Sequence, residues 1–330
     1  MAKFDPASYR IYLRNSIISG KNKHILVEGK DDKYLIERLY LDFLVDDSKY
    51  THNKILVDSA ENIIKGDESI SLSKNRDKVE YIANSIIGKP YADGFVGFVD
   101  RELHKFEWNY ECNAELQDLL NSHDVIQRLV LSRGHSIENY IFDVSIFCEV
   151  LQILSTTVSS GKAIELFKET FQSTLRIACS IGLASTKSQV LSRTYDTIDY
   201  NLFERTSLTE VSFKFDDWVE KLVVRGISTD QERQLRLHYL AYKDQVTRAS
   251  ISLVRWICHG HIGFDFLKAL YERCITEVCP ITQDKSKELS GISWISKEKL
   301  FYTFVNYWVK QSLQEQYNYP IVIFELLGII

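Results

Sequence analysis

Four short apolar runs constrain this chain more than any other feature: Ile25-Leu26-Val27, Ile55-Leu56-Val57, the stretch 94–99, and the stretch 126–131. Runs of this length and composition suit strands covered on both faces. Between them lie segments with helical spacing. One spans 31 to about 45; another spans 76–87, with Val79, Ile82, Ile86 and Ile87 on one side and Gly88 and Pro90 closing it. The polar stretch 59–73 reads as a loop or insertion. Strands that alternate with helices in this way predict an α/β fold with a mainly parallel sheet flanked by helices.

Beyond about residue 144 the texture changes to long amphipathic segments with few strand-like runs, of which 213–224 and 231–256 are the clearest. This predicts two domains: an α/β domain over 1–143 and a mostly helical one over 144–330, supplying substrate, dimer or partner contacts. A length of 330 residues, 45% of them hydrophobic, with only four prolines, is ample for two cores. The end of the chain, 320–330, is strongly apolar but shorter than the roughly 18 residues a membrane helix requires, which points to core packing, with a docking surface for a partner as the alternative. With no apolar signal core at the start, the expectation is a cytoplasmic protein with no membrane association. Six dispersed cysteines then read as reduced core thiols.

The apolar runs end on acids. Glu28 follows the first, Asp100 and Glu102 follow the third, and Glu138 follows the fourth after the turn Ser132-Arg133-Gly134-His135. In a parallel sheet, ligands bind outside the carboxyl ends of the strands, so these acids are expected near one crevice. Asp32, four residues after Glu28, falls in the first turn of a helix, where it can share an ion with Glu28 or favour the helix dipole. Clustered carboxylates suit Mg²⁺ or Mn²⁺, and phosphodiester cleavage is the chemistry such a cluster serves. Arg101, Arg133 and His135 lie beside the acids in sequence and are candidates for phosphate contact or proton relay. The net charge of −5, with the acidic excess in the first half, argues against indiscriminate coating of nucleic acid.

These residues carry a resemblance. Val27-Glu28-Gly29-Lys30-Asp31-Asp32, followed far along the chain by Phe98-Val99-Asp100-Arg101-Glu102, resembles the TOPRIM signature of topoisomerases, primases and nucleases. Asp32 is similar to the second acid of the overcoming-lysogenization-defect class. His135-Ser136-Ile137-Glu138-Asn139-Tyr140 and the helical second half resemble the TOPRIM nuclease subunit of the PARIS phage-defence system. The resemblance implies a toxin-like effector that cleaves tRNA, is held and released by a separate ATPase, and is a homodimer when active. It implies Glu28, Asp100 and Glu102 as catalytic residues and Glu28, Asp32, Asp100, Glu102 and Glu138 as metal ligands. One departure is Glu102, where the wider pattern has Asp.

Other features weigh less. Arg233, Arg236, Lys243 and Arg248, interleaved with His238, Tyr239 and Tyr242, could follow a phosphate backbone, or form a solvated helix face. Cys258-His259-Gly260-His261 lacks the paired spacing of a zinc site and reads as a helix-entry turn. There is no phosphate-binding Gly-x-x-x-x-Gly-Lys-Ser/Thr loop, so an ATP-driven step would need another chain. A non-cutting regulatory subunit and a DNA-acting TOPRIM enzyme are the alternatives. A receiver-type phosphoacceptor fits poorly, because it would want consecutive acids directly after the first strand.

Overall fold

A computed structural model describes residues 4–20, 22–46, 54–64, 72–104, 122–280, 284–312 and 320–329. Its strands are β1 (Asn22–Val27), β2 (Lys54–Ser59), β3 (Phe95–Val99), β4 (Val125–Ile126) and β5 (Leu129–Leu131). They form one sheet in the order β2-β1-β3-β5-β4, in which β1 runs parallel to β2 and β3, and β3 to β5. β4 alone is antiparallel. The stretch 126–131, read as one strand, is thus a hairpin, because Gln127 turns the chain with φ +57°. Of the loop expected over 59–73, residues 65–71 lie outside the described residues.

By their internal contacts the residues divide into two units. The first holds Met1–Arg101, Asn121–Arg133 and Val305–Ile330, and the second Glu102–Leu120 and Gly134–Phe304. This differs from a single cut at 143/144 in three places: 102–120 and 134–143 fall with the second unit, and 305–330 with the first. Ile323, Phe324 and Leu327 are buried, and Phe324 stacks on Tyr40 of the first unit. Lys23 donates to the carbonyl of Leu327, and Arg128 donates to that of Leu326 at 2.8 Å. The expectation that the apolar end packs into a core therefore holds.

In the first unit, helices α1 (Pro6–Ile18), α2 (Lys30–Asp46) and α3 (Asn75–Ser85) flank the sheet. Successive side chains of β1 point to opposite faces. Leu26 joins Tyr9, Leu13, Val79, Ile82, Phe95 and Val99 in one cluster. Gly97 of β3 lets α3 approach: a Cβ there would sit 3.0 Å from Val79 Cγ1 and 3.1 Å from Leu129 Cδ1.

The second unit is mostly helical. It contains α4 (Val144–Leu154), α5 (Ser160–Lys187), α6 (Leu191–Thr194), a small hairpin of β6 (Phe203–Arg205) and β7 (Val211–Phe213), α7 (Phe215–Val224), α8 (Thr229–Arg248), α9 (Ile251–Ile257), α10 (Gly260–Val278) and α11 (Lys285–Ser293). The unit boundary falls within α12 (Lys297–Ser312). The stretch 231–256, read as one helix, is broken between α8 and α9, where the Ser250 hydroxyl accepts from the N–H of Leu253 and starts a new helix. Phe147, Phe167, Phe171, Phe264 and Phe304 form the aromatic centre of this unit. Among the described residues, no helix is long and apolar enough to cross a membrane.

Candidate active site

In the first unit, β1 ends at Val27 and the chain turns through Glu28 and Gly29 into α2. Glu28 Oε1 accepts from the backbone N–H of Asp100, 2.9 Å away. β1 and β3 are neighbours in parallel register, with Val27 beside Phe98, so the two acids leave adjacent carboxyl ends side by side. Arg76 of α3 steadies the second exit, donating to the Asp100 carbonyl at 2.9 Å while its Nε donates to Glu80 at 2.7 Å.

Asp32 serves the helix. Its Oδ2 accepts from the N–H of Gly29 at 2.8 Å, the third helical residue reaching back to the cap as in half of a capping box, and it is buried. Glu61, which the sequence reading passed over, lies nearby. It follows β2 in a short helical turn begun by Ser59, and its Oε1 is 3.5 Å from where a Gly29 Cβ would stand. Its signal was an acid three residues beyond a strand-ending Asp58, lost in what read as the start of a polar loop. Acids thus follow the carboxyl ends of β2, β1 and β3.

Arg101 is buried and directed at backbone: its N–H donates to Ser132 Oγ at 2.9 Å, and its guanidinium to the carbonyls of Arg133 at 3.2 Å and Ser122 at 3.4 Å. It ties the exit of β3 to that of β5. His123 lies in the field of both arginines; burial, then Arg133 and Arg101, push its imidazole down to about 3.

Glu102, His135 and Glu138 belong to the second unit. Glu102 is exposed, holds φ +52°, and its N–H donates to the carbonyl of His135 at 2.7 Å. Glu138 sits in a 3-10 turn, Ile137–Ile141, and is buried. Its Oε1 accepts from His261 Nδ1 at 2.6 Å, while the His261 ring is 61% exposed. Burial pushes the Glu138 carboxyl up, but the His261 ring and hydrogen bonds from His261 and Ser136 outweigh it and hold the group at about 2. His259 joins this cluster. Its ring centroid is 4.7 Å from that of His135 and 6.0 Å from that of His261, and Tyr195 lies 6.0 Å from His261. Burial, then neighbouring histidines, push His135 down to about 3 and His259 to about 4. His259 and His261 do lie at a helix entry, as their sequence suggests; their contact with Glu138 spans too many residues for spacing to reveal.

The cluster is tightly made. Asn139 Nδ2 donates to the carbonyls of Arg255 and Cys258 at 2.7 and 2.8 Å, and its Oδ1 accepts from Ser136 N–H at 2.7 Å. Arg255 returns the contact, donating to the Asn139 and Tyr140 carbonyls. Gly260 leaves room for the carboxylate, since a Cβ there would fall 2.2 Å from Glu138 Oε2.

The candidate nucleic-acid residues on α8 have local partners. Arg233 pairs with Asp230, Arg236 with Asp216 and Glu232, and Arg248 with Asp244, while Lys243 lies over the ring of Tyr239.

Among the described residues, no three of His, Cys, Asp or Glu are grouped so as to hold a metal ion between them. The pair Glu28 and Asp100 nonetheless fits Mg²⁺ or Mn²⁺ in kind. Mg²⁺ takes oxygen donors, keeps several waters, and is commonly held by one or two carboxylates together with substrate phosphates. The fold is therefore a mixed α/β unit with a mostly parallel five-stranded sheet, accompanied by a mostly helical unit. No protein-family model matches the chain, and no curated protein matches it.

Proposed function

We propose that the chain is a Mg²⁺-dependent TOPRIM nuclease that cleaves RNA, with tRNA as the substrate the resemblance implies. The observation that carries the reading is the hydrogen bond from Asp100 N–H to Glu28, which sets two acids at adjacent strand ends of a parallel sheet. Glu28 and Asp100 are the residues that would hold the ion. When bound, Mg²⁺ would polarise the phosphate and lower the cost of forming the attacking hydroxide. The protein's own part is positional. Asp100 N–H fixes one oxygen of Glu28, and Arg76 fixes the Asp100 backbone, so the Glu28 carboxylate and the main chain that carries Asp100 are held before substrate arrives. Glu61 adds negative charge at the neighbouring strand end, which attracts cations.

The biological setting follows from the resemblance alone: an effector of phage defence, held and released by a separate ATPase, acting as a homodimer. The absence of a phosphate-binding loop from the sequence is in keeping with an ATPase on another chain.

The test is incubation of the purified protein, free of partners, with total tRNA and with plasmid DNA, in Mg²⁺ or EDTA. Mg²⁺-dependent cuts in tRNA support the proposal. Cuts confined to DNA would overturn the RNA assignment, and no cutting of either by folded protein would overturn the nuclease itself.

A further inference from the structure

A second constellation lies in the first unit, between the end of α1 and the strands β1 and β2. Ser16 Oγ, near the end of α1, is 2.8 Å from Nε2 of His24. Nδ1 of the same ring is 3.2 Å from Asp58 Oδ2. Asn22 Nδ2 donates to Ser16 Oγ at 3.0 Å. An ionised Asp58 only accepts, so Nδ1 carries the hydrogen directed at it, and in the neutral ring Nε2 is left to accept from the Ser16 hydroxyl. The Tyr9 hydroxyl also donates to Asp58 Oδ2, at 2.9 Å, fixing the carboxylate. His24 is fully buried and Ser16 partly exposed.

From this arrangement the geometry assigns Ser16, His24 and Asp58 as a nucleophile, base and positioning carboxylate for hydrolysis of a carboxylic ester. Hydroxyl, imidazole and carboxylate in this order and at these distances are what nucleophilic acyl transfer needs. Asn22 supplies a side-chain N–H beside the nucleophile, where charge would develop on a carbonyl oxygen. A cleft of about 560 Å³ opens at Asn22, lined also by Ile17, Lys23, Tyr91 and Leu327. Ser16 does not line this cleft; its chain neighbour Ile17 and its hydrogen-bond partner Asn22 do.

The steps balance. Ser16 Oγ bonds to the acyl carbon as its proton passes to His24 Nε2. The tetrahedral oxyanion takes a hydrogen bond from Asn22 Nδ2. Its collapse breaks the bond to the alkoxy oxygen, which leaves as an alcohol carrying the proton from His24. Water then attacks the acyl-Ser16 ester, gives a proton to His24, and releases the acid as Ser16 recovers its hydrogen. This centre uses none of the proposed metal ligands: Asn22 and Glu28 stand six residues apart at opposite ends of β1, about 20 Å, although Asp58 lies beside Leu26 near the carboxyl end of β2.

The experiment is labelling of the full-length protein with a fluorophosphonate probe, followed by mass mapping of the adduct, alongside hydrolysis of p-nitrophenyl acetate. The expected result is an adduct on Ser16, with labelling reduced about 100-fold in Asn22→Ala and further in His24→Gln. His24→Gln risks the fold because the ring is buried. Adduct mapping on the wild type and the Asn22→Ala rate need no such variant. Folded wild-type protein that remains unlabelled, or is labelled at another serine, would overturn the assignment and identify the network as a packing device.

Discussion

The carboxylate of Glu28 accepts a hydrogen bond from the backbone N–H of Asp100, 72 positions further along the chain. Sheet topology makes this contact: β1 and β3 lie side by side, so residues distant in sequence become neighbours at one edge. The proposed chemistry depends on that adjacency.

Asp32 holds the start of α2 at this edge. Its bond to Gly29 N–H is the returning half of a capping box at the start of α2, so Asp32→Ala is expected to lower stability by about 1 kcal/mol. Denaturant unfolding measures that loss. Cleavage by the folded variant should persist, as the proposal gives the ion to Glu28 and Asp100.

Gly260 is required for the Glu138–His261 contact. In Gly260→Ala the new methyl would meet Ser136 Oγ and Glu138 Oε2, at 2.1 and 2.2 Å before any relaxation. Relieving that clash is expected to cost about 1–3 kcal/mol. Thermal unfolding would show the loss, and Glu138→Ala in the same background should recover part of it.

Asn139 gathers one N–H and two carbonyls in a fully buried position. Asn139→Ala would leave these groups without their partner, at about 2 kcal/mol or more. Chemical denaturation of the variant should show a lower midpoint with an unchanged slope.

Acid should destabilise the protein in two stages. His123, His135 and His259 hold folded values of about 3, 3 and 4, below the ordinary 6.5. The unfolded chain therefore binds more protons over this range, and stability falls as pH drops from about 6.5 towards 4 and 3. Glu138, held at about 2 against 4.5, adds a second loss as pH falls from about 4.5 towards 2. Stability measured against pH should be flatter between 6.5 and 4 in His259→Gln, and flatter below 4.5 in Glu138→Gln.

The strands at β1, β2 and β3 were legible because covered strands need unbroken apolar runs, and Ile25-Leu26-Val27 leaves little else to form. Acids at strand ends were legible for the same reason. The hairpin at Gln127 was not, because a two-residue turn of polar side chains interrupts an apolar run without Gly or Pro to mark it. The break at Ala249 was hidden by helical spacing that continues on both sides, with only Ser250 as a signal. Glu138–His261 and Ser16–His24–Asp58 were illegible because each joins elements far apart in the chain. Asp58 ends an apolar run, and only the packing of α1 and β1 brings Tyr9 and His24 to it.

The most direct measurement is the rate of tRNA cleavage in Mg²⁺ by wild type and Glu28→Ala side by side, with both proteins shown to be folded. The account predicts Mg²⁺-dependent cutting by the wild type and a loss of at least about 100-fold in the variant, as expected when a ligand of the catalytic ion is removed. Equal cutting by a folded Glu28→Ala protein would contradict it, and would place the chemistry away from the paired acids at the ends of β1 and β3.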